Sequence, residues 1–419
     1  MFHFAYDAAG VLHAEGVDLR ALADAVGTPT YVYAEATLRR HFAVFDAAFA
    51  AHPHLVCYSV KANSARAILS LFAELGGGAD IVSGGELERC LRAGIPPDRI
   101  VFSGVGKTVA EMRRALGVGI RSFNVESEPE LHVLSSVAVA MGKVAEVSLR
   151  VNPDVDPKTH PYIATGLAEA KFGVPIGAAL GIAERMRALP GVRLVGIDCH
   201  IGSQLTDLAP LLEAVDAVLA LADELKAAGH PIHDIDLGGG LGIAYKGETP
   251  PHPDEFGAAV TARMKGRSET LVLEPGRVIV GNAGVLLTRV LYVKETPRKT
   301  FVIVDGAMND LMRPTLYGAH HDIWPVERRG VDPRVVDVVG PVCETGDAFA
   351  KGRPLEPVAP GQLVALMSAG AYGFSMASTY NSRPLAAEVL VSGARHAVIR
   401  PRQTYEELLA PERLADWQT

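Results

Sequence analysis

Lys61 lies in the stretch Cys57-Tyr58-Ser59-Val60-Lys61-Ala62-Asn63, where an apolar strand, Leu55 to Val60, is expected to deliver one amine at its end. An amine desolvated there is costly to hold as a cation, and its neutral form adds to an aldehyde to give a Schiff base. The competing reading is a lysine that snorkels to water where strand meets loop. Other reactive residues sit among glycines. His200-Ile201-Gly202-Ser203-Gln204 offers an imidazole able to lie flat on a planar ring and a hydroxyl able to bind an anion, or else a histidine satisfied in the core. In Asp236-Leu237-Gly238-Gly239-Gly240-Leu241-Gly242, three consecutive glycines would let backbone N–H groups cradle a phosphate. No Lys-Ser/Thr follows, so the run is not a nucleotide P-loop, and a flexible turn is the alternative.

Glu274-Pro275-Gly276-Arg277 puts a carboxylate where burial demands a cationic or N–H partner. That partner is either Arg277 or a protonated pyridine nitrogen. Arg313 and Tyr317, in Met308 to Tyr317, suit a substrate carboxylate. Cys343 and Glu344, in Gly340 to Asp347, suit a proton donor and an ammonium binder; a buried cysteine beside a solvated acidic turn is the commoner arrangement. Tyr372, in Ala369 to Ser375, suits a phosphate contact or a packed turn.

The elements around these residues form a pattern. From Thr30 to Glu274, near-continuous apolar strands alternate with amphipathic helices over about eight repeats. Burial on both strand faces predicts an α/β fold, a parallel sheet closed as a (β/α)8 TIM-type barrel over residues 30–277. An open doubly wound sheet is the alternative, but no GxGxxG follows the first strand. After about Arg277, short strands separated by Gly, Pro and Asn predict an antiparallel β-sandwich or barrel over residues 278–419, with residues 1–29 contributing to it. In a barrel of this type, reactive groups follow the C-terminal ends of the strands, where Lys61, His200, the glycine run and Glu274 fall.

Composition narrows the function. The chain has 419 residues, 48% hydrophobic and 21% charged, which is a globular composition long enough for two domains. A net charge of -8 without basic clusters argues against nucleic-acid or anionic-membrane partners. The four cysteines Cys57, Cys90, Cys199 and Cys343 show no CxxC or paired spacing, which fits a reducing cytoplasm and not a disulfide framework; no metal is expected. Neither a signal peptide nor a membrane span is expected.

Taken in order, YSVKAN, HIGSQ, GGGLGI, EPGR, RPTLYGAHHDI, CETGD and AYGFSMASTYNSRP, from Tyr58 to Pro384, resemble the motifs of the pyridoxal-phosphate decarboxylases of the alanine-racemase-type barrel fold, the ornithine/diaminopimelate/arginine decarboxylase family. The combination is specific to that family, while no single motif is. The resemblance implies pyridoxal 5'-phosphate as cofactor and Lys61 as its Schiff-base lysine. It implies that His200 stacks on the ring, that Glu274 faces the ring nitrogen, and that Asp80 supports the cofactor site. Ser203, Gly239, Gly240, Gly276, Arg277 and Tyr372 would contact the phosphate. Arg277, Arg313, Tyr317, Glu344 and Tyr372 would contact an amino-acid substrate. Cys343 would return a proton to the α-carbon from the second subunit of a homodimer, with active sites at the interface.

Within that superfamily, a racemase places arginine against the ring nitrogen, so Glu274 favours decarboxylation. Ornithine-type enzymes bind a lone distal ammonium. Arg277 and Arg313 together with Glu344 suit a distal end carrying both carboxylate and ammonium. Meso-diaminopimelate has such an end, and its decarboxylation gives L-lysine. Intact Lys61 and Cys343 argue against a relative that binds cofactor without turnover.

Overall fold

The computed structural model describes residues 2–156 and 171–418. The chain forms two compact units, one from Arg39–Ile279 and one from Met1–Leu38 with Val280–Thr419.

In the unit Arg39–Ile279, eight strands close a parallel ring. In chain order they are His54–Ser59, Gly78–Ile81, Ile100–Phe102, Ser122–Val125, Ala145–Asn152, Val192–Asp198, Asp234–Asp236 and Thr270–Leu273. Each pairs in parallel with the next, and the eighth returns to the first through Leu271 opposite His54. A two-residue strand, Val174–Pro175, adds to the outside of the fifth. Most strand residues are buried on both faces, which is why the strands read as apolar runs without alternation.

Helices connect the strands and start where the sequence supplies caps. Ser83 accepts from Glu86 N–H, and Thr108 with Glu111 forms a capping box. Among the described residues, only the single-turn helix Arg277–Val280 follows the eighth strand, too short to cover the outside of the ring as the other helices do. The outer position is filled by the segment that precedes the first strand. Phe42 stacks on Phe72 of helix Arg66–Glu74 at 5.4 Å, and Phe49 meets Phe256 of helix Pro253–Arg263 edge-on at 5.7 Å. Gly257 allows this approach, since a Cβ there would lie 2.2 Å from the Ala48 carbonyl oxygen.

The other unit is built on strands in the order Ala348–Leu355, Arg334–Val339, Thr300–Val304, Gly284–Glu295, Thr30–Ala34, Ala387–Ser392 and Arg395–Arg400. Leu363–Leu366 also pairs with Gly284–Glu295, and Ile323–Pro325 with Leu363–Leu366. The expectation of a purely antiparallel domain needs correction. Thr300–Val304 runs parallel to Arg334–Val339, and Thr30–Ala34 parallel to Ala387–Ser392.

Residues 30–38 also differ from expectation, lying in this unit and not with the barrel. Thr30–Ala34 is buried on both faces, so its pattern is that of a barrel strand. Its tyrosine hydroxyls decide the matter: Tyr33 donates to Glu388 Oε1 at 2.8 Å and Tyr31 to the Asp310 carbonyl at 2.5 Å. Among the described residues, no helix is long and apolar enough to cross a membrane.

Candidate active site

Each barrel strand places a polar side chain at or near its C-terminal end. In strand order these are Ser59, Asp80, Ser103, Asn124, Arg150, Asp198, Asp236 and Glu274, all buried. Lys61 follows the first strand on a single 3-10 turn, Val60–Ala62, and its side chain keeps 34% of its exposure. Its Nζ donates to Asp80 Oδ2 at 2.7 Å, and Ser59 Oγ donates to the same oxygen at 2.8 Å. The amine is therefore neither a free surface lysine nor sealed in the core. It stands at the barrel mouth against a buried carboxylate.

Glu274 is bridged to its neighbours by Asn124, whose Nδ2 lies 3.2 Å from Glu274 Oε1 and 3.1 Å from Asp236 Oδ2. Ser103 Oγ donates to the same Glu274 oxygen at 3.3 Å. The carboxylates of Asp198, Asp236 and Glu274 lie within 4.8 Å of one another. Burial, followed by the charges of Asp236, Asp80 and Asp198, holds the Glu274 carboxyl well above the usual range. Burial and Asp236 do the same to Asp198, and burial pushes Asp236 up to about 6. Arg150 offsets part of this charge, with Nη1 3.1 Å from Glu126 Oε1 and Nε 3.7 Å from Asp198 Oδ2.

His200 accepts from Gly239 N–H through Nδ1 at 3.1 Å, which puts the ring proton on Nε2. Burial, Arg150 and Lys61 hold this imidazole well below its ordinary value, so it is a neutral ring. The glycine run works partly by lacking side chains. A Cβ on Gly239 would lie 2.2 Å from the Glu274 carbonyl oxygen, and one on Gly240 would lie 2.6 Å from that of Gly202. Gly238 N–H goes to Asp236 and Gly239 N–H to His200, so two N–H groups of the run are engaged within the protein. Arg277 is buried and reaches Tyr245 Oη at 2.8 Å and Ser203 Oγ at 3.1 Å. The adjacent Gly276 packs under the lysine turn, where a Cβ would sit 3.1 Å from both Ala62 Cβ and Ser59 Cβ.

The remaining sequence-predicted residues lie in the β unit, where their loops are tied together. Asp347 accepts from Met308 N–H and Val342 N–H, both at 2.7 Å. Thr315 Oγ1 donates to the Gly346 carbonyl at 2.9 Å, joining helix Arg313–Tyr317 to the loop of Cys343 and Glu344. Asn381 Oδ1 accepts from Cys343 N–H at 3.0 Å. Cys343 is exposed, whereas Cys57, Cys90 and Cys199 are buried with thiols pushed up by burial, Cys90 to about 12. The reading of Cys343 as an inert core cysteine is thereby excluded. The Glu344 carboxylate hydrogen-bonds the Tyr380 side chain and raises its phenol. Tyr372 holds a left-handed φ of 54°. The loop before it is drawn in by Gly370, where a Cβ would meet the Val280 carbonyl at 2.0 Å.

These observations fit pyridoxal phosphate. The barrel mouth supplies an amine for an aldehyde, a neutral imidazole for a ring face, and a cradle of glycines with a hydroxyl and a guanidinium for a phosphate. Glu274 lies among surplus negative charge and gains from a cationic N–H such as a pyridinium. Among the described residues, Asp80 Oδ1 and both Asp198 oxygens are buried and meet no hydrogen-bond donor, so the mouth retains polar demand that a bound polar ligand would help to meet. The sequence reading missed Ser59, Ser103, Asn124, Arg150, Asp198 and Tyr245 and used Asp236 only as the start of a glycine motif. The signal for most of them was present: a polar residue closing each apolar strand.

Comparison with known proteins agrees with the geometry. Residues 35–281 match the family model for the pyridoxal-dependent decarboxylase, pyridoxal binding domain. The diaminopimelate decarboxylase of Vibrio cholerae serotype O1 is 52% identical over 98% of this chain and 99% of its own length. That of Pseudomonas aeruginosa is 54% identical over 96% and 97%. The crystal structure of the Helicobacter pylori diaminopimelate decarboxylase complexed with L-lysine superimposes with a TM-score of 0.91 at 43% identity, covering 94% of this chain and 99% of that one. With relatives matched along nearly their whole length, the chain belongs to the pyridoxal-dependent decarboxylase family, and within it to the diaminopimelate decarboxylases.

Proposed function

We propose that the chain decarboxylates meso-2,6-diaminopimelate to L-lysine and CO2, the last step of lysine biosynthesis. The observation that carries the proposal is the Lys61 amine, 2.7 Å from buried Asp80 at a barrel mouth that also holds Glu274. When bound, pyridoxal phosphate supplies the electron sink for the pair left by the departing carboxylate.

The residues divide the remaining work. Lys61 would hold the cofactor covalently, with Asp80 orienting its Nζ. His200 would pack against the ring. Glu274 would favour a protonated ring nitrogen. Ser203, Gly239, Gly240, Gly276, Arg277 and Tyr372 hold the phosphate. Arg277 and Arg313 take the distal carboxylate of the substrate and Glu344 its distal ammonium, with Tyr317 and Tyr372 beside them. Cys343, from the second copy in a homodimer, returns a proton to the α-carbon. The net charge and the cysteine usage favour a cytoplasmic enzyme with no nucleic-acid or membrane partner.

The test is steady-state turnover of the holoenzyme on meso-diaminopimelate, ornithine and arginine. L-Lysine and CO2 in equal amounts from the first are expected. Absence of L-lysine would overturn the proposal.

A further inference from the structure

Arg313 is fully folded into the β unit, at 6% exposure, and its guanidinium is met by a residue with no exposure at all, His321. Arg313 Nη1 lies 2.8 Å from His321 Nε2, and His321 Nδ1 lies 2.8 Å from the Met367 carbonyl oxygen. Bonding alone assigns the tautomer. A carbonyl only accepts, so Nδ1 carries the proton; a guanidinium only donates, so Nε2 does not. A doubly protonated ring would set N–H against N–H.

The backbone makes this arrangement rigid. Gly318, at φ 60°, turns the chain back after helix Arg313–Tyr317. Ile323–Pro325 then pairs with Leu363–Leu366, and Met367 N–H donates to the Asp322 carbonyl at 2.8 Å, so the anchor of the ring directly follows the neighbouring strand. Arg353 Nη1 donates to the His321 carbonyl at 2.8 Å and fixes the segment from another direction.

We propose that His321 is a positioning residue that presents a proton-free Nε2 to Arg313 and thereby aims its guanidinium at the substrate's distal carboxylate. A neutral acceptor occupies one N–H without offsetting the positive charge, which a carboxylate in the same place would do. The inference rests on the reading of Arg313 as a substrate contact.

The test uses three single variants of the holoenzyme and one double variant, each checked by thermal melting. His321→Asn places an amide near Nδ1 and can keep the Met367 bond, but it does not reach Arg313. His321→Gln places an amide oxygen near Nε2. We expect H321N to raise KM for meso-diaminopimelate, and the inhibition constant of L-lysine, about tenfold with kcat within about twofold, the scale of one lost charge-assisted hydrogen bond. H321Q is expected to stay near wild type. Arg313→Met should raise KM more, and adding H321N to it should change nothing further. Equal KM values for H321N and H321Q, or a full H321N effect in the R313M background, would overturn the role of His321. An unchanged KM in R313M would instead overturn the Arg313 reading beneath it.

Discussion

Lys61 Nζ lies 2.7 Å from Oδ2 of Asp80, and that carboxylate has no exposed surface. One side of the lysine's environment is thus fixed by the second barrel strand, while the amine itself stays within reach of solvent. Asp80→Asn keeps the shape and removes the charge. The lost charge-assisted hydrogen bond, about 1.5–3 kcal/mol, should lower kcat by roughly 10- to 100-fold. Steady-state kinetics on fully loaded enzyme checks this, and an unchanged kcat would remove Asp80 from the site.

Lys61→Ala should leave the barrel intact and end covalent cofactor attachment. Borohydride reduction followed by peptide mass spectrometry should find the adduct at residue 61 in wild type and at no position in the variant. Near-normal turnover in the variant would refute the assignment.

Asp236 gives a pH prediction. Burial raises its carboxyl to about 6 from an ordinary value of 3.8, against the opposing hydrogen bonds from Gly238 N–H and Asn124. The folded apoprotein therefore keeps a proton that the unfolded chain releases. Its contribution to stability is complete below about pH 4 and is lost as pH rises through about 6. Asp236→Asn removes the titrating group and should flatten the decline of stability between pH 4 and 6, whatever it costs at every pH by leaving one of the two donors on Asp236, Gly238 N–H or Asn124 Nδ2, without its acceptor. Denaturant titrations of both forms at several pH values measure this; parallel curves would sink it.

Much of this was legible in the sequence because strand periodicity is visible at the scale of a few residues. The eight barrel strands, Lys61, Glu274 and the glycine run all follow from apolar runs ended by polar or small residues. Strand partnership was not legible. Thr30–Ala34 has the same all-buried pattern as Ile100–Phe102, and it is assigned to the other unit by partners far along the chain, the strands Gly284–Glu295 and Ala387–Ser392 and the acceptors at Asp310 and Glu388. The histidine behind Arg313 was hidden for a similar reason. His321 stands inside a quoted motif, but its role depends on the carbonyl of Met367, just past the strand Leu363–Leu366.

Gly239→Ala tests the steric half of the cradle. The added methyl would lie 2.2 Å from the Glu274 carbonyl oxygen, a backbone atom that cannot step aside. The end of the eighth strand would have to move and carry the Glu274 carboxylate with it. We expect cofactor affinity to fall at least tenfold and the apoprotein to lose about 1–3 kcal/mol. Fluorescence titration with pyridoxal phosphate and urea melts measure the two effects; a variant with wild-type values in both would show that the loop yields freely.

Cys343 and Asp347 should separate chemistry from support. Cys343→Ala removes the proposed proton donor from an exposed position, so turnover should fall severely while cofactor binding and melting temperature hold. Asp347 is buried, and its two oxygens accept from two different loops, through Met308 N–H and Val342 N–H. Asp347→Asn can serve only one of them, because its amide nitrogen presents hydrogens to the other. The orphaned N–H should cost about 1–3 kcal/mol and free the loop that carries Cys343 and Glu344. The expected signature is a lowered melting temperature together with a fall in kcat. If Asp347→Asn slows turnover without any loss of stability, the carboxylate acts in the chemistry and not through the loop.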